Sequence, residues 1–250
     1  MAPKPKPFNA PSMNNDLAYF LGLWVAEGSF EESIGRITIT CGDKEVGKFL
    51  ESGAVAGLEF KARSGRTDQW LVNSYEFMEF MRYLKMPLVK APQKWIPEWV
   101  MQGKREWAMS FVAGLWDGDG YVCDPARKKS MGFNSASEQL IKDLQLLMTN
   151  IGIVARYTRH VTPPTERAHV ESVQYRYTLT GENIDIFRRN ICLRIPRKQA
   201  NLEGQCLERG AYRDRIPFMD APLKDMMIEL RSKGVKCKTA DFKLYGSELS

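Results

Sequence analysis

The sequence predicts an α+β chain of two pseudo-symmetric αββαββα halves, each with an antiparallel sheet, joined through a pair of helices at the seam between them. Three observations carry that expectation: a nine-residue segment occurs twice, the same order of elements follows each copy, and the strands of both copies alternate apolar with polar residues. The bulk properties agree. With 250 residues, 44% hydrophobic and 26% charged, the chain is globular and long enough for two units with real cores. The longest apolar run, Leu17 to Ala26, is about half of the roughly 20 residues that a bilayer-spanning helix needs, so no membrane partner is expected. Five cysteines, with no Cys-x-x-Cys and only two histidines, read as free thiols of a reducing, intracellular compartment and not as a zinc site. The opening Met1 to Pro7 lacks the apolar stretch of a secretory signal and reads as a loose arm. The expected organisation is an arm over 1–13, a first half over 14–103, a second half over 104–203 and a C-terminal extension over 204–250, whose role the sequence does not give.

The duplicated segment is Phe20-Leu-Gly-Leu-Trp-Val-Ala-Glu-Gly28 and, 92 positions further on, Val112-Ala-Gly-Leu-Trp-Asp-Gly-Asp-Gly120. A match this short arises by chance in a chain of this length, so the elements behind it matter more. After Gly28 come a short polar strand, an alternating strand at Arg36–Thr40 and helical signals from Asp43 to Ala54. Strands near Leu58–Arg63 and Gln69–Asn73 and an amphipathic helix at Tyr75–Leu84 follow. After Gly120 come strands at Tyr121–Cys123 and Met131–Asn134, then a helix capped by Ser137 that runs from Glu138 to Asn150 and stops at Gly152. Strands near Val154–His160 and Val173–Thr180 and a helix at Glu182–Ile191 complete the second set.

Alternation gives each sheet one face for a core and one polar, largely basic face. Ile37 and Ile39 oppose Arg36, Thr38 and Thr40; Leu58, Phe60 and Ala62 oppose Glu59, Lys61 and Arg63; Val173, Tyr175, Tyr177 and Leu179 oppose Gln174, Arg176 and Thr178. Recurrence of that face in both halves points to a nucleic-acid surface. The candidate contacts are Arg36, Thr38, Thr40, Lys61, Arg63, Arg66, Gln69 and Asn73 in the first half. In the second they are Lys128, Lys129, Asn134, Arg156, Arg159, Gln174 and Arg176. The run Arg188, Arg189, Arg194, Arg197 and Lys198, without an intervening acid, adds a candidate phosphate contact.

Both copies of the segment read as helices, with Gly28 and Gly120 in the left-handed position that ends them. Gly22 and Ala26 share one face, as do Gly114 and Gly118, and such small residues let two helix backbones approach closely. Glu27 and Asp119 then stand in the last turns, where the negative end of the helix dipole disfavours a carboxylate by about 0.3 to 1 kcal/mol. If the helices run side by side in parallel, the two acids also repel each other. A divalent cation relieves both costs, and carboxylates with one or two backbone carbonyls are the hard oxygen ligands that Mg²⁺ takes. An ion so placed against a basic surface suits phosphodiester hydrolysis. Asp117 has Val25 as its counterpart and reads as a structural acid, capping or pairing with a nearby base.

Both segments resemble the LAGLIDADG motif, and the arrangement resembles a single-chain, two-motif, intein-like (dodecapeptide) LAGLIDADG homing endonuclease over roughly residues 16 to 203. Lys94-Trp-Ile-Pro97 upstream of the second motif, and Asn134-Ser-Ala-Ser-Glu138 leading into a helix that ends Ile151-Gly-Ile153, add to it. The resemblance implies two αββαββα halves whose strands form a saddle on the DNA major groove, and cleavage of both strands at one long asymmetric site. It implies Mg²⁺, for which Mn²⁺ substitutes and which Ca²⁺ replaces without supporting cleavage, held by Glu27 and Asp119 with the carbonyls of Gly28 and Gly120. Lys94 and Lys198 correspond to the lysines near the catalytic centre of the family. The expected partner is double-stranded DNA and the expected state a monomer, since the duplication supplies both half-sites. The chain lacks the terminal residues of a splicing intein, which makes a free-standing nuclease the expectation. The second reading is a non-cleaving or bifunctional binder on the same scaffold, such as an intron RNA maturase; retention of both acids disfavours the non-cleaving form.

Overall fold

The computed structural model describes residues 11–128, 130–155, 157–164, 171–205, 225–226, 228–230 and 232–233. The chain divides into two compact units, Met1–Gly210 and Ala211–Ser250. In the second, the described residues between 225 and 232 are helical.

The first unit carries the expected order twice. Its first half is α1 (Asn15–Glu27), β1 (Gly28–Glu31), β2 (Arg36–Thr40), α2 (Lys44–Glu51), β3 (Lys61–Ala62), β4 (Gln69–Asn73) and α3 (Tyr75–Tyr83). A connecting α4 (Glu98–Gln102) leads to the second half: α5 (Arg105–Asp119), β5 (Gly120–Val122), β6 (Met131–Ser135), α6 (Glu138–Thr149), β7 (Tyr157–Thr162), β8 (Ser172–Leu179) and α7 (Glu182–Asn190). A further helix, α8 (Pro196–Glu203), follows. The two sheets are antiparallel with matching strand orders, β1-β2-β4-β3 and β5-β6-β8-β7.

The seam is α1 against α5. Asn14 caps α1 by accepting from the Leu17 N–H at 2.8 Å, and residues 17–25 are buried all round instead of along one stripe. That follows from a helix covered on one side by its own sheet and on the other by its partner. The contact is backbone on backbone: a Cβ on Gly22 would fall 1.9 Å from the Phe111 carbonyl oxygen, and one on Gly114 would fall 1.9 Å from that of Tyr19. These are equivalent positions in the two copies, so the seam is pseudo-twofold.

Several expectations need correcting. Gly28 and Gly120 do not adopt the left-handed conformation; their φ values are −83° and −76°, ordinary extended backbone. Glycine stands there because a Cβ would collide with the indole of the preceding Trp24 or Trp116, at 2.4 and 2.5 Å. Gly152 does take positive φ, +87°, as expected after α6. The strand expected over Leu58–Arg63 shrinks to Lys61–Ala62, because Gly53, Ala56 and Gly57, all with positive φ, spend the preceding residues on tight turns. Phe60 is buried as expected, but Leu58 is half-buried and Ala62 exposed.

Candidate active site at the helix seam

The site sits where α1 and α5 end side by side. A Cβ on Gly118 would lie 2.4 Å from the Cβ of Ala26 and 3.1 Å from the Cγ of Glu27, so Glu27 rests against the backbone one residue before Asp119. The two carboxylates feel each other. Loss of hydration pushes the Glu27 carboxyl up to about 7, with the Asp119 charge adding to the rise and the Lys198 and Lys94 charges opposing it. Asp119 opens onto the cleft, yet the protein around it still raises its carboxyl, again by loss of hydration and against the pull of Lys94 and Lys198.

Both expected lysines are at this point, and both are buried, with 7% and 6% of their surfaces exposed. Lys94 Nζ donates to the carbonyls of Val25 and Ala26 at 2.6 and 3.2 Å. Lys198 Nζ donates to those of Trp116, Asp117, Gly118 and Gly120 at 2.9, 2.8, 3.3 and 2.7 Å. Each ammonium group therefore caps the last turn of one seam helix, satisfying carbonyls that a helix end leaves unpaired and offsetting the dipole's negative end. Val25 and Ala26 are equivalent to Asp117 and Gly118, so the lysines reach matching places. They do so from non-matching positions: Lys94 precedes its Ile-Pro pair (Ile96-Pro97), whereas Lys198 follows its own (Ile195-Pro196). Burial lowers the affinity of both ammonium groups for their proton, while the acids nearby support it.

Each lysine's segment is pinned. Ser137, the N-cap of α6, donates its hydroxyl to the Lys94 carbonyl at 2.5 Å, and Asp143 accepts from the Ile96 N–H at 3.0 Å. Asp117 does the corresponding work for Lys198. Its Oδ2 accepts from the Tyr19 hydroxyl at 2.9 Å and from the backbone N–H of Arg194 and Ile195 at 2.7 and 3.3 Å. This sharpens the sequence reading of Asp117 as structural: it grips backbone and a tyrosine instead of a base. Arg194 is spent on the same anchorage, with its guanidinium 4.1 Å from the Tyr19 ring centre and paired with Asp16 at 2.8 Å. The basic run near 188–198 is thus divided: Lys198 is buried, Arg188 pairs with Asp185 and Arg197 faces Asp43, while Arg189 is exposed.

Strand register decides which candidate contacts share a face, since directly paired residues point the same way. In the first sheet Arg36 pairs with Asn73, Thr38 with Leu71, Thr40 with Gln69, and Lys61 with Leu71, so these form one outward face. Arg36 bonds Asn73 at 3.2 Å, Gln69 bonds Thr40 at 3.3 Å and Arg63 bonds Gln69 at 3.1 Å. Arg66 lies in the β3–β4 loop and pairs with Asp68. In the second sheet Asn134 pairs with Arg176, and Gln174 with His160, on the outward face. Arg159 pairs with Tyr175, which puts it on the opposite face from Arg176 and corrects its grouping with the outward set. Thr178 shares the outward face with Arg176, as the alternation predicts, and Thr158, His160 and Tyr121 are outward residues that the sequence did not single out. Lys128 is exposed in the β5–β6 loop; Lys129 and Arg156 lie outside the described residues.

A cleft of about 110 Å³ links this face to Asp119: that acid and Lys94 line it together with Asn134, Ser135 and Gln174. The Asn134 Oδ1 and Arg176 Nε atoms are buried with no partner among the described residues. For a divalent ion the donor set fits. Two oxygen acids, both held above their usual range, become easier to ionise when a cation stands beside them. Glu27 and Asp119 are the groups that would hold it. The Gly120 carbonyl, also expected as a ligand, already accepts from Lys198. No cluster of three or more His, Cys, Asp or Glu exists among the described residues, nor is any described helix long and apolar enough to cross a membrane.

Two αββαββα units sharing one helix seam, with an acid and a buried lysine at the end of each seam helix, define the class. Residues 106–192, from the first turn of α5 to just beyond α7, match the family model of the LAGLIDADG-like domain. A similar curated protein is the Replication factor C small subunit of Methanocaldococcus jannaschii, 26% identical over 200 residues that make up 78% of this chain and 10% of that protein. The chain spans only 10% to 19% of the length of the curated relatives it matches. Among solved structures, full-length DUF199/WhiA from Thermatoga maritima is similar at 14% identity and a TM-score of 0.48, over 91% of this chain and 70% of that one. A single-substitution variant of the homing endonuclease I-DmoI, in complex with its target DNA in the presence of 2 mM Mg, is similar at 16% identity and a TM-score of 0.48, over 71% and 95%.

Proposed function

We propose that this chain is a site-specific double-strand DNA endonuclease that hydrolyses phosphodiesters at a long, asymmetric target with a divalent metal. The observation that carries the reading is the meeting of Glu27 and Asp119, one from each duplicated helix, beside two buried lysines and below a polar sheet face. A pure binder gains nothing from two neighbouring carboxylates that burial holds above their usual range. When bound, Mg²⁺ supplies polarisation of the phosphoryl oxygen and an ionised water. Glu27 and Asp119 hold it; Lys94 and Lys198 fix the helix ends that aim the acids and add positive charge where phosphate charge builds up. Asn134 and Gln174 border the cleft and meet the nucleotide next to the cut. The outward faces of both sheets carry the remaining contacts, and one chain suffices because it holds both half-sites. A module that amounts to a tenth to a fifth of its curated relatives is consistent with a mobile, intron- or intein-associated element.

The test is a randomised duplex pool incubated with the protein in Mg²⁺ or in Ca²⁺. Double-strand cuts in Mg²⁺ that vanish in Glu27→Gln or Asp119→Asn, while binding in Ca²⁺ persists, are expected. Retarded but intact duplexes in every metal would make this a DNA binder, and assistance to RNA splicing that survives both substitutions would make it a maturase.

A further inference from the structure

We propose that Asp117 is a positioning residue for Lys198, which rests on the reading of Lys198 as part of the cleavage site. The contacts form a closed circuit. All three donors converge on one carboxylate oxygen, Oδ2: the Tyr19 hydroxyl and the N–H groups of Arg194 and Ile195. Those two N–H groups belong to the strap that leads directly into α8, where Pro196 occupies the first turn and Lys198 follows two residues later. Lys198 then returns to α5, donating to the backbone carbonyl of Asp117 itself at 2.8 Å and to three neighbours. The side chain of Asp117 thus holds the strap, and the strap's lysine holds the main chain of Asp117 and of the turn that bears Asp119. A loosened strap lets the ammonium group leave that turn, and the carboxylate of Asp119 loses its aim.

Tyr19 makes the circuit span the two halves, and Arg194 reinforces it by stacking on that tyrosine and pairing with Asp16. The other copy lacks this device. The residues equivalent to Tyr19 and Asp117 are Phe111 and Val25, both buried and apolar, and Lys94 is held instead by Ser137 and Asp143 acting on its own segment. The sequence thus supplies its own control: the Phe111–Val25 pair shows which apolar residues fill these places without an orphaned polar group.

The test compares Tyr19→Phe/Asp117→Val, which installs that apolar pair, with Asp117→Asn. Asparagine can put its one oxygen where Oδ2 accepts and its NH₂ where Oδ1 has no partner among the described residues. On the duplex recovered from the selection above, the double variant should bind in Ca²⁺ within about twofold of wild type while its kcat in Mg²⁺ falls about 10- to 100-fold, the range typical of groups that orient a metal's ligands. Asp117→Asn should restore most of that loss. Adding Lys198→Met to the double variant should cost less than it costs wild type, because the lysine is already out of place. Amide exchange, read by mass spectrometry on the free protein, should rise over residues 191–203 and stay unchanged in α6. Equal falls in affinity and kcat, full additivity with Lys198→Met, or unchanged exchange over 191–203 would each overturn the proposal. If wild type cuts no duplex, the endonuclease reading fails by itself, and the exchange measurement still decides whether Asp117 holds the strap.

Discussion

Replacing Glu27 by glutamine should make the metal-free protein more stable while removing the proposed cleavage. The Glu27 carboxyl rises from the usual 4.5 to about 7 on folding, which means that the fold disfavours its ionised form. An acid raised in this way favours the folded state while it is protonated in both states. That contribution is lost as the pH climbs from about 4.5 to 7, and the penalty is constant above. At about 1.4 kcal/mol for each pH unit, the full penalty at pH 8 is about 3.4 kcal/mol. Glu27 is half-exposed, so solvent screening reduces this by about half, to roughly 1.5 kcal/mol. For a folded unit of this size that is a rise in Tm of about 3 to 6 °C. Differential scanning calorimetry of wild type and Glu27→Gln at about pH 4.5 and about pH 8, without divalent ions, reads it: near-coincident Tm values at the lower pH and a gap at the higher. Added Mg²⁺ should then raise the wild-type Tm and leave the variant where it is. A variant no more stable than wild type at the higher pH, or equally shifted at both pH values, would refute the reasoning, because the cost would not be that of an ionised, poorly hydrated Glu27.

The remaining predictions concern the lysines, the seam and the face. Lys198→Met should destabilise by about 3 kcal/mol, and by more than Lys94→Met, because it orphans four carbonyls instead of two; urea unfolding measures both. Gly22→Ala and Gly114→Ala each place a methyl 1.9 Å from a facing carbonyl oxygen and should cost about 3 kcal/mol or more, seen as lost soluble yield or a lower urea midpoint. Arg176→Ala should weaken duplex binding and flatten its salt dependence, while Arg159→Ala, on the other face of the sheet, should change site preference little; gel shifts over a salt series separate the two.

Much of this architecture is legible in the chain. The helix-strand order, the Gly22 and Gly114 contact and the convergence of Glu27 with Asp119 all follow from spacing, because helical periodicity and small-residue faces are local signals. Lys94 is pointed to by the resemblance of Lys94-Trp-Ile-Pro97 to the family's pattern. The depth of Lys198 cannot, since it depends on α8 turning back under the end of α5. Arg159 falls on the unexpected face for a related reason: β7 begins at Tyr157, three residues later than expected, and pairing register, which sets the face of every strand residue, is a tertiary property. Gly28 and Gly120 matter, but for a reason other than backbone handedness. Only the structure reveals that an indole occupies the space a Cβ would need.

The inequality of the two copies at Tyr19 and Asp117 has a consequence for how the halves recognise each other. Two first halves brought together would set each tyrosine hydroxyl against a valine, and two second halves would set each aspartate against a phenylalanine. Either homotypic assembly strands a pair of polar groups in a dry interface, whereas the mixed assembly sets the Tyr19 hydroxyl against the Asp117 carboxylate that accepts from it. The ancestral symmetry has therefore been broken in a way that cannot be undone by separating the halves: this polypeptide is matched to itself only as a whole.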